Sequence, residues 1–183
     1  NIDEFDGAYM MTRLVDYIVE HLSQQIKAGC DTVQVFDSWA SDLGEEHIIP
    51  YCYEPTAQIV ERLRDLHPDV GIIVFPRLIG EEINNFSKYV NADCISLSDD
   101  MKTDWILKRM GSQCLQGGIP PQVLLSEHRE DILRGTVPMI RQMKDCAYVV
   151  NLAHGINKET PVENVRFFIE IVKRNRENIT RET

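Results

Sequence analysis

The chain has 183 residues, room for one sizeable core and not comfortably for two. Hydrophobic residues make up 43% of it, an ordinary content for a soluble globular protein, and the formal net charge is -10, which weighs against a nucleic-acid or anionic-membrane surface. No apolar run approaches membrane-spanning length, no signal-peptide pattern opens the chain, and Asn1 in first place predicts a fragment or a processed product.

Five cysteines (Cys30, Cys52, Cys94, Cys114, Cys146) are scattered without a C-x-x-C pair. That pattern predicts reduced thiols in a cytoplasmic compartment, most of them small buried hydrophobes. The cluster Lys173-Arg174-Asn175-Arg176 sits at a helix end, where cations offset the dipole, and reads as a solvated tail.

The elements follow in chain order. Met11, Val15, Ile18, Leu22 and Ile26 recur at spacings of three and four, which predicts an amphipathic helix over 7–28 that Gly29 terminates. The β-branched and aromatic run 32–36 predicts a strand. A helix is expected over 53–66, stopped by His67-Pro68-Asp69. The pattern repeats with a strand over 71–75, a helix over 81–90, a strand over 94–97 and a short helix over 103–110. A strand over 113–116 runs into Gly117-Gly118. The stretch 126–143 reads as helical, with Gly135 and Pro138 expected to kink or divide it. The last strand is expected over 147–152. The final helix begins at Thr160-Pro161-Val162-Glu163, where Thr and Glu can cap two backbone N–H groups reciprocally, and Val165, Phe168, Ile169 and Val172 form its apolar stripe.

A helix followed by five strand–helix units, with strands apolar on both faces, predicts an α/β fold with a parallel sheet in one domain over 1–183. Two architectures fit: an open doubly wound sheet, or part of an eight-fold α/β barrel, which five units are too few to close. No G-x-G-x-x-G follows the first strand, which counts against a dinucleotide fold.

In either architecture ligands bind at the carboxyl ends of the strands. The polar residues there are Asp37, Ser38, Arg77, Ser98, Asp99, Gln116, Asn151 and His154. His154 follows a strand and precedes Gly155, so a substrate can approach it closely; a loop histidine bonding a neighbouring carbonyl is the plain alternative. Phe36-Asp37-Ser38-Trp39-Ala40 is not a G-x-S-x-G elbow, so Ser38 suits a neutral hydrogen-bond donor to a carboxylate, or a turn cap, better than a nucleophile. Arg77 offers a bidentate fork to a carboxylate, or an ion pair that holds a loop. Asp99-Asp100 reads as a turn cap, and no His/Cys/Glu spacing resembles a zinc site.

Ala28-Gly29-Cys30-Asp31-Thr32-Val33-Gln34-Val35-Phe36-Asp37-Ser38-Trp39-Ala40, then Phe75-Pro76-Arg77 and Leu115-Gln116-Gly117, then Asn151-Leu152-Ala153-His154-Gly155-Ile156 followed by Thr160-Pro161-Val162-Glu163-Asn164-Val165, stand in this order along the chain. Together they resemble the uroporphyrinogen decarboxylase family. The resemblance implies that this chain is the C-terminal portion, about five strand–helix units, of a (β/α)8 TIM barrel. It implies decarboxylation of the four acetate side chains of uroporphyrinogen III to give coproporphyrinogen III, with no metal and no organic cofactor. Protonating a pyrrole carbon next to the acetate makes the ring its own electron sink. By motif position Ser38 and His154 match substrate-contacting residues that bind side-chain carboxylates, and Phe36 matches an apolar residue of the same cleft; Arg77 joins them as a substrate-binding expectation. The aspartate that gathers the pyrrole N–H groups, the arginines of an early loop and a tyrosine are expected outside this chain, which leaves its catalytic residues unassigned. A homodimer is implied as well, with no nucleic-acid or membrane partner.

The chain departs from the family at Gln116-Gly117-Gly118-Ile119-Pro120-Pro121, where Gln-Gly-Asn-Leu-Asp-Pro is usual, and at Ser96-Leu97-Ser98-Asp99-Asp100, where Gly-Leu-Asp-Trp-Thr is usual. Two other readings stand beside the first: a zinc-dependent corrinoid methyltransferase of the same superfamily, and an inactive porphyrinogen-binding fragment.

Overall fold

Short apolar strands alternate with amphipathic helices through the whole chain, in the computed structural model as in the sequence. The structure describes residues 4–182, with side chains over 7–175. Two compact units divide it, Asn1–Ile95 and Ser96–Thr183. No described helix is long and apolar enough to cross a membrane.

The first unit opens with α1 (Glu4–Lys27), which ends where Gly29 takes φ +110°. Val15, Val19 and Leu22 bury its inner face. Strand β1 (Thr32–Asp37) pairs in parallel with β2 (Gly71–Pro76), Thr32 opposite Gly71 and Asp37 opposite Pro76. Val33 and Val35 are buried while Thr32 and Phe36 are exposed, so β1 covers only one face, unlike the expected strand apolar on both. β2 pairs onward with β3 (Cys94–Leu97).

Between β1 and β2 the helical path starts earlier than 53. It runs through α2 (Glu45–Ile48), a π turn (Ile49–Tyr53) and α3 (Glu54–Leu66). Pro50 lies in the wide turn, with the Glu54 N–H reaching the Ile49 carbonyl, and Pro55 sits in the first turn of α3, where proline is tolerated. Arg62 of α3 pairs with Asp16 of α1 at 2.8 Å. Helix α4 (Ile83–Val90) begins with a 3-10 turn (Gly80–Glu82), as the wider expectation over 81–90 allows.

The second unit contains α5 (Thr103–Met110), β4 (Cys114–Gly117), a 3-10 turn (Pro121–Leu125), α6 (Arg129–Gln142), β5 (Tyr148–Val149) and α7 (Val162–Glu182). β4 and β5 pair in parallel, Leu115 opposite Tyr148. β5 is shorter than 147–152, although an isolated bridge joins Ile119 to Leu152 beyond it. Phe168 and Ile171 of α7 pack with Ile132 and Ile140 of α6 in one apolar cluster, each contributing about 1.5–3 kcal/mol if fully withdrawn from water.

Four local expectations are corrected here. Pro138 does not divide α6, which runs unbroken over its 14 residues. Residues 126–128 lie outside that helix, because Ser126 is extended and its hydroxyl holds the helix start: it donates to Asp131 at 2.6 Å and accepts from the His128 N–H at 3.1 Å. The reciprocal cap at 160–163 is not made. Thr160 Oγ1 is buried without a partner, the Thr160 N–H reaches Asn157 instead, and Glu163 pairs with Arg166 at 2.7 Å. The apolar stripe of α7 turns through Ile171 rather than Ile169, which is 45% exposed. Of the basic cluster, Lys173 and Arg174 are exposed, and the Arg176 side chain lies outside the described residues.

Asp131 yields a pH-dependence. The Ser126 hydroxyl first, then Arg134, hold its carboxyl below the ordinary value. A lowered folded-state pKa means the contribution to stability is complete above the unfolded pKa and is lost as pH falls through the folded one. Asp131→Asn should therefore lower the urea midpoint near neutral pH and cease to differ from wild type in strong acid.

Candidate active site

The parallel register places the ends of β1 and β2 side by side. Asp37 and Pro76 are opposite each other, and the Arg77 N–H donates to the Asp37 carbonyl at 3.0 Å. The chain leaves the two strands there, with Phe36-Asp37-Ser38-Trp39 on one and Arg77 on the other. Strand alternation sends Asp37 and Phe36 to opposite faces. Asp37 faces the buried Cys52, whose thiol is pushed up by burial and by its hydrogen bond and charge contact with that carboxylate. Phe36 goes the other way and is 64% exposed, its ring edge-on to Phe75 with centroids 6.2 Å apart.

Ser38 and Trp39 are exposed as well. No cap bond from a side chain opens the following 3-10 turn (Ala40–Asp42), and the Ser38 hydroxyl has no protein partner among the described residues. It is therefore available as a donor, and the turn-capping alternative is not realised. Arg77 is half-buried and makes no ion pair with the described residues, so its fork is likewise uncommitted. Thus Phe36, Ser38 and Arg77 come together at one strand end. A cleft of about 580 Å³ opens beyond them, lined by Ser41, Leu43, Tyr53, Leu78 and Glu82 among others. None of the three lines that cleft.

In the second unit, His154 follows the bridge at Leu152. The Ala153 N–H donates to the Ile119 carbonyl at 2.7 Å, and Asn151 turns back to accept from the Leu152 N–H at 2.8 Å. The Asn151 amide oxygen is thus engaged by the backbone. His154 Nδ1 lies 2.9 Å from the Gly155 carbonyl. A carbonyl only accepts, so Nδ1 carries the proton and Nε2 is left as a lone pair in the neutral ring. Nε2 can donate to a carboxylate only as imidazolium. No atom lies within 4 Å of the place a Gly155 Cβ would take, so the approach to the ring from that side is open.

The other strand-end residues turn inward. Ser98 and Gln116 are buried, and the Gln116 amide donates to Ser96 Oγ at 3.3 Å. Tyr148 donates to the Gly117 carbonyl at 2.7 Å, and burial pushes its phenol up. The departure at 116–121 has a packing explanation. Gly117 and Gly118 take φ +81° and +87°, which disfavours any side chain. A Cβ on Gly117 would lie 3.1 Å from the Leu97 and Leu152 carbonyls, and one on Gly118 would overlap Met139. Met139 fills the space that a side chain there would occupy. Asp99 and Asp100 are exposed. Among the described residues no three His, Cys, Asp or Glu side chains converge as metal ligands.

One anchoring residue escaped the sequence reading. Asn164, in the first turn of α7, donates from Nδ2 to the carbonyls of Leu124 at 2.8 Å and Ser126 at 2.9 Å. It ties the segment after His154 to the loop after β4. An asparagine just inside a helix start was the available signal, masked by the apparent cap at Thr160.

The family model for uroporphyrinogen decarboxylase (URO-D) matches residues 6–175. The chain belongs to the uroporphyrinogen decarboxylase family. It is 34% identical over 160 residues to the uroporphyrinogen decarboxylase of Orientia tsutsugamushi strain Boryong, covering 87% of this chain and 47% of that one. It is 30% identical over 166 residues to that of Cereibacter sphaeroides strain ATCC 17025, covering 90% and 48%, and 30% identical over 167 residues to that of Paracoccus denitrificans, covering 91% and 48%. The chain therefore spans about half the length of these curated relatives. Its five parallel strands alternating with helices form an α/β fold consistent with part of the family's β/α barrel.

Proposed function

We propose that this chain provides the carboxyl-terminal share of a uroporphyrinogen decarboxylase, acting on the acetate side chains of uroporphyrinogen III in haem biosynthesis, as a homodimer. The observation that carries the reading is the uncommitted hydroxyl of Ser38 beside exposed Phe36, on the motif that matches the family. A polyanionic, partly apolar macrocycle needs neutral or cationic donors for its carboxylates and apolar surface for its pyrroles. Ser38 and Arg77 supply the donors and Phe36 the surface; His154, once protonated at Nε2, adds a charged donor.

The reaction itself asks little of these residues. A proton added to the ring carbon adjacent to the one that bears the acetate leaves a cationic ring. The carbon–carbon bond to the carboxylate then breaks, its electron pair neutralises the ring, and carbon dioxide departs. A second proton adds to the exocyclic methylene to give the methyl group, and loss of the first proton from the ring carbon restores aromaticity. Holding the carboxylates in place and stabilising the transient charge are the protein's part.

Uroporphyrinogen incubated with the 183-residue chain alone, and with a polypeptide spanning the family's full length and containing it, tests this by chromatography of the products. Coproporphyrinogen from the longer polypeptide and none from the 183-residue chain is the expected result. No turnover by the longer polypeptide sinks the reading; turnover by the 183 residues alone sinks the division of labour.

A further inference from the structure

Cys52 and Tyr53 are buried neighbours at the end of the π turn (Ile49–Tyr53). Successive helical side chains point roughly 100° apart, so one short turn sends two donors to two different places. Wide turns of this kind recur at functional sites.

Cys52 reaches the end of β1, where its thiol hydrogen-bonds the Asp37 carboxylate. Asp37 is the last residue of that strand and Ser38 follows it directly. The Asp37 carbonyl also accepts from the Arg77 N–H at 3.0 Å. Holding Asp37 therefore holds the residue to which both Ser38 and Arg77 are attached, one by the chain and one by a backbone bond. Tyr53 reaches the loop that leaves Arg77. Its hydroxyl donates to the Glu82 carboxylate at 3.0 Å, with the Glu82 carbonyl at 3.1 Å, and Glu82 also accepts from Asn85 Nδ2 at 3.3 Å. Glu82 ends the 3-10 turn (Gly80–Glu82) that closes this loop. The loop passes twice through left-handed backbone, at Leu78 (φ +58°) and Gly80 (φ +57°). Leucine keeps that conformation only where its surroundings impose it, and such residues cluster at functional sites.

Both groups stay protonated. Burial first, then the Asp37 carboxylate, pushes the Cys52 thiol up; burial first, then Glu82, pushes the Tyr53 phenol up. Neither ionises near neutral pH, so they are suited to holding and not to attack or proton carriage. The Tyr53 ring sits edge-on to Phe86, with centroids 5.2 Å apart, and tilted against Tyr89 at 5.6 Å, which gives its hydroxyl a fixed base.

We propose that Cys52 and Tyr53 are positioning residues for a substrate carboxylate: acting through Asp37 and Glu82, they set the separation between the Ser38 hydroxyl and the Arg77 guanidinium. The proposal rests on the decarboxylase reading of this strand end and supplies what keeps its two donors in register. A carboxylate shared by two donors tolerates little error, since a misplacement of about 1 Å costs up to about 100-fold in rate.

The test uses a polypeptide that spans the family's full length and contains this chain, with uroporphyrinogen as substrate. Tyr53→Phe keeps the packed ring and removes the hydroxyl. Cys52→Ala removes the thiol, and Cys52→Ser keeps a donor. Tyr53→Phe and Cys52→Ala should each raise KM about five- to tenfold with kcat within about twofold, the pattern of lost binding that ground and transition states share. Cys52→Ser should recover most of that loss. Each effect should disappear once its target is gone: Cys52→Ala should add nothing to Ser38→Ala, and Tyr53→Phe nothing to Arg77→Ala. Amide hydrogen exchange over 77–82 reads the same tie without turnover, and Tyr53→Phe should speed it. Unchanged exchange, a lower kcat at unchanged KM, or penalties that simply add in the double variants would each overturn the proposal. An inactive parent polypeptide overturns it together with the decarboxylase reading; an active parent matched by both single variants overturns it alone.

Discussion

His154→Ala, made in a polypeptide that spans the family's full length, is expected to lower kcat/KM for uroporphyrinogen by about 10- to 100-fold, the loss that accompanies a hydrogen bond to a charged group. The ring's own geometry sharpens the expectation. Nδ1 is committed to the Gly155 carbonyl at 2.9 Å, so a substrate carboxylate meets Nε2. That nitrogen donates only when the ring is doubly protonated. A carboxylate at that position therefore pairs with the imidazolium form of the ring. His154→Gln keeps a neutral donor amide on a side chain of similar reach. It should retain part of the activity. Partly decarboxylated intermediates should accumulate with His154→Ala, since each successive acetate must be re-bound. Unchanged turnover, together with an unchanged product distribution, would remove the role assigned to this residue.

Asn164→Ala should destabilise the second unit by about 2–4 kcal/mol, from two lost hydrogen bonds and the carbonyls left short of a partner. Its amide holds the Leu124 and Ser126 carbonyls at once. Asn164→Asp keeps the volume but replaces the donor by a carboxylate facing two carbonyl oxygens, so it should be at least as damaging near neutral pH and should recover in part on acidification. Urea unfolding of the 183-residue chain measures both. A midpoint shift below about 0.5 kcal/mol for Asn164→Ala, the usual size for an unremarkable surface site, would show that the tie is not needed.

Much of the architecture was legible because its causes are local. The run 94–97 and the helix 103–110 emerge where apolar runs and helical spacing place them, and Gly29 stops α1 with the positive φ that glycine tolerates. The same holds for the first part of the site. Ser38 follows an apolar strand directly, so the strand's end delivers it to the same place in any parallel sheet. Failures cluster where neighbours compete for the same groups. Thr160 and Glu163 have the spacing of a cap, but Asn157 takes one backbone donor and Arg166 takes the carboxylate. Gln116 stands at a strand end among the polar candidates, yet Ser96 satisfies it in the interior.

The sequence by itself determined the alternation of strands and helices, the family, and the serine, arginine and histidine at strand ends, since each follows from residue types a few positions apart. Only the tertiary structure decided which of those polar groups remain free to meet a ligand. Hydrogen-bond partners that lie dozens of residues away set that outcome, as when Asn164 takes the Leu124 carbonyl, and spacing along the chain carries no record of them.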